Sequence, residues 1–84
     1  IPCDEDKLFF KAAEHGSVDM LKLLLDRGAD VNVQNEYGWT ALHIAAAKKN
    51  ADVANLLLAR GADKTIKNSD GKIADLAFLN KNNK

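Results

Sequence analysis

His15 and His43 are the two histidines of the chain, and Cys3 is its one thiol. Catalysis or metal binding would draw first on these side chains. No cysteine or second histidine stands near either histidine at a metal-ligand spacing. His43 therefore reads as structural, and His15, just before Gly16, reads as a helix-end residue. A nucleophilic Cys3 would need a base within hydrogen-bond reach and a third group to orient that base. Its sequence neighbours supply neither, so Cys3 reads as an inert, exposed thiol. Asp4 and Asp6 are paired carboxylates, but an acidic run at a helix start is more often a cap than an acid–base pair. Gly28, Gly38, Gly61 and Gly71 are dispersed and build no phosphate-cradling loop. These residues point to no metal and no cofactor, and the chain is not expected to be an enzyme.

The remaining composition narrows the class. Eighty-four residues allow one domain. Lys plus Arg number 12, as do Asp plus Glu, so no basic field is present to hold nucleic acid. No apolar run is long enough to insert in a membrane. A single cysteine fits a reducing, intracellular compartment, with the cytoplasm as the expectation. The acidic residues gather toward the N-terminal end and the C-terminal end is mildly basic. Such a gradient could orient a partner, and solvated faces explain it equally well.

The elements that must position any site repeat every 33 residues. Leu23-Leu24-Leu25 recurs as Leu56-Leu57-Leu58, and Arg27-Gly28-Ala29-Asp30 recurs as Arg60-Gly61-Ala62-Asp63. Ala12-Ala13, Asp19, Asn35, Gly38 and Ala41 recur at the same offset. Each copy reads as helix, turn, helix and a glycine-led loop. Thr40 is a good N-cap for a helix over Ala41 to Lys48. Asn50 caps a second helix whose Val53, Leu56 and Leu57 form one apolar face. Gly61 then supplies the left-handed stop. In the first copy Ser17 is expected to cap, Met20, Leu23 and Leu24 to form the stripe, and Gly28 to end the helix. Gly38 and Gly71 are expected to take positive φ in the loops. One unit cannot bury its own apolar face, so units must stack, and the alanine pairs let helices approach closely.

A 33-residue helix-pair repeat with these residues resembles an ankyrin repeat. The resemblance rests on Gly38-Trp39-Thr40-Ala41-Leu42-His43-Ile44-Ala45-Ala46, then Val53, Leu56-Leu57-Leu58 and Gly61-Ala62-Asp63. The family's Thr-Pro-Leu-His appears as Thr40-Ala41-Leu42-His43, with alanine in place of proline. The fold expected is an all-α solenoid of stacked helix-turn-helix units with hairpin-like connectors. Residues 5–34 form an N-terminal capping-like repeat, 35–67 a complete internal repeat, and 68–84 a C-terminal half repeat with a frayed tail. Asp4-Glu5-Asp6 is expected to precede and cap the first helix. The resemblance implies further repeats in a parent protein or an unusually short solenoid. Near the three-repeat minimum, the chain should be marginally stable.

The resemblance also implies a binding module. Its histidine, here His43, bonds the Thr40 hydroxyl and nearby backbone and braces neighbouring units. Tyr37 and Trp39 fall at connector tips, which vary between members and often touch partners. Exposed aromatics at such turns are enriched in binding hot spots. The alternative for Trp39 is packing over aliphatic stems of the next connector. Glu36, Ala47, Lys48, Ser69, Asp70 and Lys72 belong to the same expected face. The expected partner is another protein. The rival reading is a regulatory or scaffolding segment of a larger enzyme or channel. Asn32 stands in a context that resembles asparagines hydroxylated in this family; the reading favoured is that Asn32 bonds the connector backbone. Leu76, Phe78 and Leu79, with no second helix over them, give an open C-terminal end suited to self-association. The alternative is Phe78 folding back on Leu57 or Leu58.

Overall fold

A computed structural model of the chain describes residues 4–76. It contains four helices and, among the described residues, no strand: α1 Asp4–His15, α2 Val18–Asp26, α3 Ala41–Lys48 and α4 Ala51–Ala59. Helix α1 packs on α2 and α3 on α4, while α1 lies against α3 and α2 against α4. Two helix pairs are therefore stacked in the order the repeat requires.

The helix ends follow from the residues at them. The Thr40 hydroxyl accepts from the His43 amide, and the His43 ring takes the Thr40 N–H in return, closing a capping box. Asn50 Oδ1 accepts from Val53 N–H at 3.2 Å and caps α4. At the far end of α4, Gly61 has φ 91°. Gly61 N–H donates to Leu58 C=O and Ala62 N–H to Leu57 C=O, which satisfies two terminal carbonyls. The end of α2 repeats this pattern with Gly28 and Ala29. The end of α3 uses the same left-handed turn at Lys49, φ 55°, without a glycine.

Alanine sets the stacking distance. Ala12, Ala13, Ala41 and Ala45 are all buried, and Phe9, Leu21, Leu42, Val53 and Leu57 fill the space they leave. Full burial of one such leucine contributes roughly 1.5–3 kcal/mol.

Three expectations are corrected. The α2 stripe is Leu21 and Leu24, whereas Met20 is 40% exposed and Leu23 51% exposed. The run Leu23-Leu24-Leu25 has apolar residues on most of the helix circumference, so its periodicity cannot choose a face; packing on α4 does. Ser17 occupies the N-cap position of α2 but its side chain makes no capping hydrogen bond. Asp4, Glu5 and Asp6 form the first turn of α1 and do not precede it. Of the third copy, residues 72–76 are irregular and Ala74 is buried. Leu76 packs against the core. Cys3, Phe78, Leu79 and the tail from Asn80 lie outside the described residues.

Candidate functional site

The two connectors are built alike. Asn35 Oδ1 accepts from the amides of Tyr37 at 2.8 Å and Trp39 at 3.0 Å. Asn68 Oδ1 accepts from Asp70 at 2.8 Å and Lys72 at 3.1 Å. Asn35 N–H donates to Trp39 C=O, and Asn68 N–H to Lys72 C=O, each at 2.9 Å. One asparagine thus supplies the acceptor that a tight turn needs for its inward amides.

The connectors are also tied to each other. Ser69 N–H donates to Tyr37 C=O at 3.0 Å. Gln34 Nε2 donates to Gly38 C=O at 2.9 Å and to Lys67 C=O at 3.2 Å. Asp63 N–H donates to Asn32 Oδ1 at 2.7 Å. A Cβ on Gly38 would lie 2.8 Å from Ser69 N, so the second tip sits directly on the first. Asn32 therefore bonds the backbone of the following connector.

His43 ties α3 to the second connector from inside. Its Nδ1 accepts from the Thr40 amide at 3.1 Å and lies 2.9 Å from the Thr40 hydroxyl. Because an amide can only donate, Nδ1 is the unprotonated nitrogen. Nε2 then carries the proton and donates to Lys72 C=O at 2.9 Å. Both nitrogens are committed to the protein. Among the described residues no group of three or more His, Cys, Asp or Glu is placed to hold a metal.

The sequence-indicated partner residues separate into smaller groups. Tyr37 is 63% exposed at its tip. Trp39 is half-buried, with its ring 5.8 Å from the His43 ring at a 40° tilt. It lines a cleft of about 310 Å³ together with Ala46, Ala47, Lys49, Lys72 and Ile73. Glu36 lines a different cleft, of about 550 Å³, with Asp6, Lys7, Phe10, Gln34 and Asn35. Lys48, Ser69 and Asp70 are exposed. Phe10 and Gln34 line the Glu36 cleft and Ile73 the Trp39 cleft, positions that the sequence did not single out. The repeat register hides Gln34, whose counterpart is Lys67, and pairs Phe10 with His43.

One charge is perturbed at this edge. The Thr65 hydroxyl and then the Thr65 amide donate to the Asp63 carboxylate and hold its pKa below the ordinary aspartate value.

Residues 9–58 match the family model described as ankyrin repeats (many copies). The mitochondrial disaggregase of Bos taurus is 42% identical over 49 residues, covering 58% of this chain and 7% of that protein. A putative ankyrin repeat protein of Acanthamoeba polyphaga mimivirus is 35% identical over 46 residues, 55% of this chain and 35% of its own length. Notch-regulated ankyrin repeat-containing protein A of Danio rerio is 52% identical over 31 residues, 37% of this chain and 28% of its length. The matched segment is thus a minor part of each of these relatives. No helix among the described residues is long and apolar enough to cross a membrane.

Proposed function

This chain belongs to the ankyrin-repeat family, whose members are generally protein-interaction modules, and on that premise we propose that it binds another protein without catalysis of its own. The binding surface runs from the connector tips at Tyr37 and Ser69 to the Trp39 cleft and the exposed end of α3, at Ala47 and Lys48. Glu36, Asp70 and Lys72 frame it with both signs of charge. One observation carries the reading: Tyr37 projects 63% exposed from a turn that is already fixed by Asn35 and by the second connector. A preformed tip loses little ordering entropy on binding, so its aromatic contact area converts more fully into affinity. Lys49, one residue beyond α3, is read as a solvated helix end.

Affinity capture from the source cell, comparing this chain with its Trp39→Ala and Tyr37→Ala variants, tests the surface. Trp39→Ala is expected to weaken partner binding by about 2 kcal/mol or more. Equal capture by chain and variants counts against the site.

A second reading is favoured by the small share of the disaggregase that is matched, 7% of its length. Here the repeats hold a neighbouring domain of one longer polypeptide. The same substitutions, made in the full-length product, would then alter the neighbour's activity and leave capture of separate proteins unchanged.

A further inference from the structure

The His43 ring is 5% exposed and spans two segments of the chain. Nδ1 accepts the Thr40 N–H at 3.1 Å at the start of α3, and Nε2 donates to Lys72 C=O at 2.9 Å in the second connector. An imidazole ordinarily changes charge between about pH 5 and 8. Once protonated it has two N–H donors and no acceptor. A proton added at Nδ1 points at the Thr40 N–H, one buried donor against another, since Thr40 is 2% exposed. The Thr40 hydroxyl lies 2.9 Å from Nδ1 and can accept that proton, but it already accepts the His43 amide, and the Thr40 amide still loses its acceptor. The ring is rigid, so a turn that relieves Nδ1 also carries Nε2 off the Lys72 carbonyl. In the first unit Phe10 stands at the corresponding position, so this device belongs to the second unit.

The surroundings give a charged ring little in exchange. The residues that α1 and α4 bury in the shared core, Phe9, Ala12, Ala13, Val53, Ala54 and Leu57, are all apolar. Lys49, Lys72 and Asp75 are the other ionisable groups lining the cleft that His43 shares with Trp39, two cations to one carboxylate. Glu36, on the first connector, lines a different cleft. The Trp39 ring, 5.8 Å away, offers a weak cation–π attraction, which does not replace the acceptor that Thr40 loses. We propose that His43 is a proton-operated latch between α3 and the second connector. Neutral, it holds both; protonated, it lets go of the Thr40 amide and the Lys72 carbonyl together, and the connector loosens while the helix pairs stay folded. The latch works whether or not the connector tips bind a partner.

One tryptophan and two histidines make the test direct. The full chain is titrated from about pH 8 to about pH 5 and followed by NMR of the ring nitrogens, amides and carbonyls. As the His43 ring takes its proton, the Thr40 amide is expected to lose at least about tenfold in protection against exchange. The Lys72 carbonyl carbon and the Trp39 fluorescence are expected to change through the same midpoint. Far-ultraviolet circular dichroism should hold across the range, which separates release of the connector from unfolding. His15→Gln is expected to leave these transitions in place, and His43→Gln to remove them. The latch is overturned if the ring takes its proton while the Thr40 amide keeps its protection, if the ring stays neutral until the helices melt, or if His15→Gln removes the transitions. The wild-type ring and amide signals decide the matter even where His43→Gln fails to fold.

Discussion

His43 shows how much a single side chain carries in a small stack. It closes the cap of α3 on one side and holds the Lys72 carbonyl on the other. His43→Ala leaves the Lys72 carbonyl and the Thr40 amide without these partners, and each loss of this kind costs about 1–3 kcal/mol when water cannot replace it. Urea unfolding of His43→Ala is expected to show a loss of about 2 kcal/mol with the slope unchanged; an unshifted midpoint would contradict the bracing role. The segment Thr40-Ala41-Leu42-His43 was legible from residue types, but the carbonyl at Lys72 was not, since a backbone acceptor has no sequence signature. Asp63 makes a second residue-scale case. Its carboxylate is held below the ordinary value by Thr65. A depressed folded-state pKa contributes stability that is present above the unfolded value and lost as pH falls through the folded one. Carboxyl-carbon NMR should therefore place the Asp63 midpoint below that of a free aspartate, and Thr65→Ala should raise it. A midpoint indifferent to Thr65→Ala would remove that hydrogen bond as the cause.

At the scale of elements, the helices were the legible part and the junctions were not. Capping residues marked the starts of α3 and α4, and Gly61 the end of α4, because a cap acts within three residues of chain. The face that α2 buries depends on α4, thirty residues away, and so Leu21 was overlooked in favour of Met20 and Leu23. The connectors supply a sharper contrast. Gly38 and Gly71 have nearly the same φ, 77° and 76°. A side chain at either position meets the left-handed strain of roughly 1–2 kcal/mol. Only at Gly38 does it also meet a backbone, Ser69 N at 2.8 Å, whereas no described atom comes within 4 Å at Gly71. Gly38→Ala is therefore expected to destabilise more than Gly71→Ala, by about 1 kcal/mol, the value of the Ser69–Tyr37 bond it displaces. Thermal unfolding of the two variants side by side measures the difference, and equal losses would mean that the second tip yields without cost.

For the molecule as a whole, the two helix pairs, each taken with the connector that follows it, are joined by three kinds of contact of unequal worth. The apolar layer between α1 and α3 is the largest. The Asp26–Arg60 ion pair, at 3.0 Å with side chains 64% and 35% exposed, adds little in water. The hydrogen bonds between connectors are few, but they give the stack its own internal clock. The amides of Ser69 and Asp63 belong to exposed residues and are tied only across the junction, to Tyr37 C=O and Asn32 Oδ1. Neither is held by a helix of its own unit. In deuterated water their protons should leave whenever the two units part, and the helical amides should leave only when a unit unravels. Ser69 and Asp63 exchanging together, faster than the α3 and α4 amides, would time that separation directly. If they exchange at the rate of the helical core, the units do not part before they melt, and the solenoid opens and closes as one body.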